Sequence, residues 1–248
     1  MKKQHCLLIL ILILVTRCSE EKECCVQPQF SITLNFTHHW NGLKITPQDF
    51  NELKFTNENG ERLSIERLRY LVSNISFVNG KNHHLIDVGE NTGTSITIPE
   101  LTDASYALSF RFGFSNEDNT DGTYQDLNSA SFSVPGMLGG GYHFMQFDGK
   151  YEDNNNEASG FNYHMIKAVD RTDPDNLKFE DTSFEVNLGT IVVANTTEIE
   201  IKMNLAEWFK NPNTWNLNEL NSILMPNFEA QKMMHENGDS IFSLGAVN

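Results

Sequence analysis

Cysteine is missing from the sequence beyond residue 25. The four that occur are Cys6, Cys18 and the adjacent pair Cys24 and Cys25. Neighbouring cysteines rarely join each other, and no partner lies further along the chain, so the pattern excludes a disulfide framework. The fold therefore depends on a hydrophobic core, which the roughly 220 residues that follow the N-terminal segment are enough to form.

Positive charge is also scarce. The sequence has 18 Lys and Arg against 33 Asp and Glu, which gives a formal net charge of −15. Such a surface repels phosphate backbones and argues against nucleic-acid binding, whereas it attracts cations. Solubility is the alternative explanation of the acidity.

Recognisable catalytic signatures are absent. The sequence contains no G-x-S-x-G, H-E-x-x-H, P-loop or dinucleotide fingerprint. A cysteine nucleophile is missing from the part that folds, and no spacing of carboxylates singles out an acid and base pair. We therefore predict that the chain is not an enzyme.

The longest apolar run covers only residues 7–15. A helix that spans a bilayer needs roughly 20 apolar residues, so this run is too short for a permanent anchor. Because Lys2 and Lys3 precede it, the layout is typical of a secretory signal. We interpret residues 1–17 as a signal peptide, which predicts export.

Cys18 follows that run and is itself followed by an acidic stretch, SEEKE. This arrangement resembles the start of a bacterial lipoprotein, in particular the surface-export tag of Bacteroidetes lipoproteins. Arg17 departs from the pattern, since the residue before the lipidated cysteine is normally small. We expect residues 18–28 to be a tether lipidated at Cys18 in a periplasmic or outer-membrane lipoprotein, with plain cleavage and release as the alternative.

Alternation of apolar and polar residues dominates the rest of the chain. Phe30, Ile32, Leu34 and Phe36 face one way and the residues between them are polar, which indicates a half-buried strand. Similar runs and the turn-rich segments between them predict one all-β domain over residues 29–248, an antiparallel β-sandwich. The further runs lie at 106–114, 184–188 and 199–203, and the turn-rich segments at 57–60, 79–82, 116–122 and 153–156.

The C-terminal part has helical spacing and few β-branched residues. It predicts short helices at 205–210, 217–224 and 228–236 that close the sandwich. Asn204 is a candidate N-cap of the first helix, and Asn216 or Asn218 of the second.

Several segments, taken in order, carry a family resemblance: FSITLNFTHHWNG, LSIERLRYLVSNISF, SFRFGFSNEDNTDG, GGGYHFMQFDGKY, FNYHM, NLAEWFKNP and MHENGDSIFSL. Together they resemble the MbnP-like family of exported copper-binding proteins over most of residues 30–246. Each segment is short and degenerate, and their ordered succession is what makes the resemblance specific.

The resemblance implies an exported β-sandwich that binds one copper ion through histidines. In some members a tryptophan oxidised to kynurenine joins the site, and a di-haem enzyme of the bacterial peroxidase type is the maturation partner. Residues 134–141 read VPGMLGGG and lack the tryptophan pair that many relatives have there, which puts the kynurenine chemistry in doubt. Trp40 is the one tryptophan near a candidate ligand.

Four residues are candidate copper ligands. His38 continues the alternation of the first strand and projects towards the core, and His164 lies within a later strand. His143 and Met145 are two apart, so on a regular strand they share one face. The resemblance implies that the strands of the three histidines come together, and imidazole suits Cu(II) while a thioether favours Cu(I). We therefore predict a site of His38, His143, His164 and Met145, with Met137 nearby. Asp148 or Asp87 could accept the second N–H of a ligating histidine.

The other features have simpler explanations. His39, His83, His84 and His235 are assigned to surface or structural roles, and the EF-hand-like loop at 117–128 lacks the glutamate at its twelfth position. Two alternative functions stay open. One is a metal-free lipoprotein module that presents its loops to a partner protein or glycan, and the other is an enzyme subunit that acts with a haem peroxidase.

Overall fold

A computed structural model describes residues 28–173 and 175–248; the predicted signal peptide and nearly all of the tether, with Cys18, lie outside the described residues. The helical elements of the described part are Pro47–Asp49, Gly136–Leu138 and Leu205–Phe209, all 3₁₀, and the α-helices Gln125–Ser129 (α1) and Phe228–Gly238 (α2). The strands are Gln29–Trp40 (β1), Leu43–Lys44 (β2), Phe55–Thr56 (β3), Arg62–Leu63 (β4), Arg67–Ser73 (β5), His83–Asp87 (β6), Ser95–Thr102 (β7), Ala104–Phe112 (β8), Met145–Glu152 (β9), Ala158–Met165 (β10), Ala168–Asp170 (β11), Lys178–Glu180 (β12), Phe184–Val193 (β13), Thr197–Asn204 (β14) and Phe242–Val247 (β15).

Two large sheets form the sandwich, and β11 and β12 pair with each other in a separate two-stranded sheet. The first has the order β15-β14-β1-β2, with β7 also paired to β1. The second has the order β13-β8-β5-β9-β4-β3, with β10 paired to β9 and β6 to β5. Most pairs are antiparallel, but β1 and β14 run parallel, which brings the beginning and the end of the domain side by side. The predicted all-β sandwich is confirmed.

Packing between the sheets follows the alternation seen in the sequence. Ile32, Leu34 and Phe36 of β1 are buried, and they face a second sheet whose Phe110 and Phe112 are also buried. Burial of each such side chain contributes roughly 1.5–3 kcal/mol relative to exposure, so the aromatic-rich core supplies the stability that disulfides do not.

The first and the third of the three helices predicted for the C-terminal part are present in the structure. Residues 205–209 form a 3₁₀ helix and α2 covers the third predicted helix. The Asn227 side chain caps α2 by accepting a hydrogen bond from the Ala230 backbone N–H at 3.1 Å. No helix in the described part of the chain is long and apolar enough to cross a membrane.

The prediction of a helix at 217–224 is wrong, because this segment forms turns and bends. The Leu217 N–H donates to the buried carboxylate of Glu61 at 3.0 Å, and the Trp215 indole N–H donates to the Leu220 carbonyl at 2.8 Å. Ile223 has a left-handed backbone with φ of 57°. Contacts with distant residues therefore override the helical spacing.

Candidate metal centre

The outward face of the second sheet carries a cluster of polar side chains from three neighbouring strands. Strand register places Gln146 of β9 opposite Arg69 of β5 and His164 of β10. Directly opposite residues of an antiparallel pair project to the same face. This outer cluster consists of Arg67, Arg69, Gln146, Asp148, Asn162 and His164.

Asp148 is the hydrogen-bond acceptor at the centre of the outer cluster. Its carboxylate accepts hydrogen bonds from Arg67 and Asn162, and its Oδ1 lies 2.8 Å from Nε2 of His164. Burial raises the pKa of Asp148, but the hydrogen bond and electrostatic attraction of His164, together with the hydrogen bonds from Asn162 and Arg67, outweigh it and lower the pKa to about 2. Asp148 is therefore a carboxylate at neutral pH.

The contact with Asp148 determines how His164 is oriented. A carboxylate can only accept a hydrogen bond, so Nε2 of His164 carries a proton. In the neutral ring, Nδ1 is then the nitrogen with the free electron pair. This hydrogen bond from an imidazole to a carboxylate is the arrangement that supports metal-ligating histidines in proteins.

His143 lies just before β9, and its ring sits beside the outer cluster. Its Nδ1 is 2.9 Å from the carbonyl oxygen of Phe132, which fixes the proton on Nδ1. Its Nε2 is buried and has no hydrogen-bond partner among the described residues. Burial, with smaller effects of neighbouring charges, lowers the pKa of His143 to about 4, so the ring is neutral and Nε2 holds an unshared electron pair.

The rings of His143 and His164 are neighbours. Their centroids lie 5.3 Å apart and the ring planes are nearly perpendicular, at 85°. A buried nitrogen without a partner is costly unless something accepts its electron pair. A metal ion bound at that nitrogen would remove the cost, and the neighbouring imidazole is a ligand of a type that suits copper.

His38 lies on the other side of the second sheet. It is buried between the sheets, and its Nε2 is 2.9 Å from the hydroxyl oxygen of Tyr70. Tyr70 points inward, whereas its neighbour Arg69 points outward with Gln146 and His164. The structure therefore does not bring His38 together with His143 and His164.

Met145 also faces inward. It is fully buried and pairs with Tyr70 on β5 and Met165 on β10. His143 does not share its face because the regular strand begins only at Met145, and both the backbone N–H and the ring of His143 bond to Phe132. The alternation of a regular strand, from which we predicted that His143 and Met145 share a face, does not extend back to His143.

Three further histidines, His39, His83 and His235, have ordinary partners. His39 lies 2.9 Å from the Thr37 hydroxyl, His83 lies 2.8 Å from an Asp126 oxygen, and His235 bonds to the Thr182 carbonyl. In the loop at 117–128, Asn119 and Asp121 accept hydrogen bonds from the backbone N–H groups of Tyr142 and Gly141. These side chains stabilise the glycine-rich segment before His143.

Two residues near His164 were not identified from the sequence. A cleft of about 240 Å³ beside this ring is lined by Asn162, His164, Ile223, Leu224 and Met225. Gln231 is buried and bonds to the backbone on both sides of the cleft. Met225 gave no signal because it lies in the short gap between the helices predicted at 217–224 and 228–236. In the described part of the chain, no group of three or more His, Cys, Asp or Glu residues is placed to hold a metal.

The protein is an all-β sandwich, and comparison with known proteins identifies the family to which the chain belongs. The MbnP family profile matches residues 29–226, so the chain belongs to the MbnP family. This membership associates the chain with copper-related biology.

The fold is similar to that of MbnP from Methylosinus trichosporium, with a TM-score of 0.56 and 12% sequence identity over 88% of this chain and 99% of that one. At that identity the likeness shows the fold alone. Among proteins with curated descriptions, none matches this sequence.

Proposed function

We propose that this protein binds one copper ion through His143 and His164 and stores, buffers or delivers it in the cell envelope. The observation that carries the proposal is the buried Nε2 of His143, which has no hydrogen-bond partner among the described residues and belongs to a ring 5.3 Å from that of His164. The family membership supports copper as the metal.

The chemistry of the two rings favours a transition metal over Ca²⁺ or Mg²⁺. Imidazole nitrogens suit copper, which also stands highest in the divalent affinity series. The low pKa of His143 means that few protons compete for its nitrogen at neutral pH. Asp148 holds His164 in one orientation, and the charge of −15 favours the approach of cations.

The proposal narrows the predicted ligand set. His38 and Met145 lie on the inward face, where they pack against Tyr70, and we assign them to the core. Trp40 is also a core residue, since its ring packs against Phe55 and Phe209 and its N–H donates to the Thr56 carbonyl at 3.1 Å. We propose further that the protein binds copper without catalysing a reaction. Its Cys18 would carry a lipid, and a di-haem enzyme of the bacterial peroxidase type would be its maturation partner.

Equilibrium dialysis with metal analysis tests the proposal. The wild-type protein should retain about one equivalent of copper, and the double variant His143→Ala/His164→Ala should lose it. The control is His83→Ala/His235→Ala, which removes two histidines that have ordinary partners and should leave retention unchanged. Far-UV circular dichroism establishes that both double variants fold.

Two results would count against the proposal. One is retention of less than half an equivalent by the wild-type protein, and the other is unchanged retention in the His143→Ala/His164→Ala variant. A thermal midpoint that neither a strong chelator nor added copper shifts would favour the metal-free interaction module instead.

A further inference from the structure

The cleft beside His164 is also lined by a thioether, that of Met225. Met225 and His164 both line it, and Met225 is half-buried. The two residues are far apart in sequence, so only the fold places them together. A methionine sulfur is a soft ligand that complements imidazole nitrogen in copper sites.

Gln231 of α2 holds the Met225 segment against β10. Its side-chain NH₂ group donates to the His164 carbonyl at 2.9 Å and to the Leu224 carbonyl at 3.0 Å. Its Oε1 accepts from the Ile166 N–H at 2.8 Å. One buried amide thus ties the residue before Met225 to the backbone of His164 itself.

A second link fixes the other end of the segment. The Asn162 N–H donates to the Asn221 carbonyl at 2.7 Å, and Leu224 is buried while Ile223 is 79% exposed with φ of 57°. A β-branched residue rarely adopts this backbone conformation, so the surrounding contacts impose it. The result is a fixed segment that presents Met225 at the cleft.

We propose that the Met225 thioether is a third ligand of the copper ion held by His143 and His164. The inference rests on the proposed function. It supplies the additional ligand that the His, Cys, Asp and Glu residues of the described chain do not provide. A sulfur ligand makes the site favour Cu(I) over Cu(II).

The test compares Met225→Leu with Met137→Leu, a matched control in which an 81% exposed methionine is changed in the same way. Competition with a chromophoric chelator measures Cu(I) affinity, and a parallel titration measures Cu(II) affinity. Met225→Leu should weaken Cu(I) binding at least tenfold and change Cu(II) binding much less, whereas Met137→Leu should match the wild-type protein.

A spectroscopic measurement tests the contact directly. In copper-loaded selenomethionine protein, X-ray absorption should show a selenium neighbour of copper that is lost in Met225→Leu and kept in Met137→Leu. Copper that depends on both histidines but has no selenium neighbour would overturn the inference and leave the proposed function intact. Copper binding that does not depend on His143 and His164 would overturn both.

Discussion

The centroids of the His143 and His164 imidazole rings lie 5.3 Å apart, and the ring planes are nearly at right angles. One nitrogen of each ring is hydrogen-bonded to an acceptor. For His143 the acceptor is the Phe132 carbonyl, and for His164 it is Asp148. His143 therefore keeps its buried Nε2 for another partner, next to the ring of His164, and this pair is the metal site that we propose.

Removing the charge of Asp148 should weaken copper binding while both rings remain. We expect Asp148→Asn to lower copper affinity by about 10- to 100-fold, because the carboxylate orients His164 and increases its basicity. Competitive titration measures the change. The matched control is Asp126→Asn, which alters an exposed partner of His83 and should leave affinity unchanged. Equal affinities in the two variants would contradict the role of Asp148.

The Tyr70 hydroxyl should contribute to the stability of the fold and not to copper binding. Burial raises the pKa of Tyr70 well above its usual value, so the hydroxyl stays protonated and can bond to His38. Tyr70→Phe should lower the free energy of unfolding by about 1–3 kcal/mol, since it leaves a buried His38 nitrogen without its partner. Urea unfolding measures this. Copper retention should equal that of the wild-type protein, and a loss of copper would place His38 in the site.

The fold should lose stability as the pH falls below about 6.5. Burial, with a smaller effect from His39, lowers the pKa of His38 from 6.5 to about 3. Between these values the unfolded chain binds a proton that the folded chain does not, so the free energy of unfolding falls with decreasing pH. His143, with a pKa of about 4, acts in the same direction.

Replacing His38 should reduce this pH dependence. His38→Gln keeps an acceptor for Tyr70 but cannot take up a proton, so between pH 6.5 and 4 the slope should decrease by up to about 1.4 kcal/mol per pH unit. Urea unfolding at a series of pH values measures it. An unchanged slope would mean that His38 titrates in the folded protein as it does in the unfolded one.

Two glycines of the β9 and β10 hairpin should respond differently to alanine. At Gly149 an added Cβ would lie 2.1 Å from the Ser64 carbonyl oxygen, whereas at Gly160 nothing lies within 4 Å. Gly149→Ala should destabilise the fold by about 2 kcal/mol because backbone has to move. Gly160→Ala should be neutral or stabilise the fold by up to about 1 kcal/mol. Thermal unfolding of both variants distinguishes these outcomes, and similar midpoints would contradict the close packing at Gly149.

Much of the fold could be predicted from the sequence because alternation reports which face of a strand is buried. The first strand and the inward position of His38 follow from it directly. The parallel pairing of β1 with β14 could not be predicted this way, since periodicity says nothing about which strands become neighbours.

The site was only partly predictable. The residue types of His143 and His164 suit copper, which made them candidate ligands. Asp148 was a candidate acceptor for the second N–H of a ligating histidine. That Met145 and His143 face opposite ways depends on where β9 begins, which the sequence does not mark. The position of Met225 beside His164 depends on hydrogen bonds that Gln231 and Asn162 make to its segment of the chain, so no local sequence pattern could reveal it.

Diffraction from copper-loaded crystals at the copper absorption edge would locate the metal. We expect one anomalous peak in contact with the rings of both His143 and His164. A peak at His38 on the inward face, or the absence of any copper peak at the two rings, would contradict it.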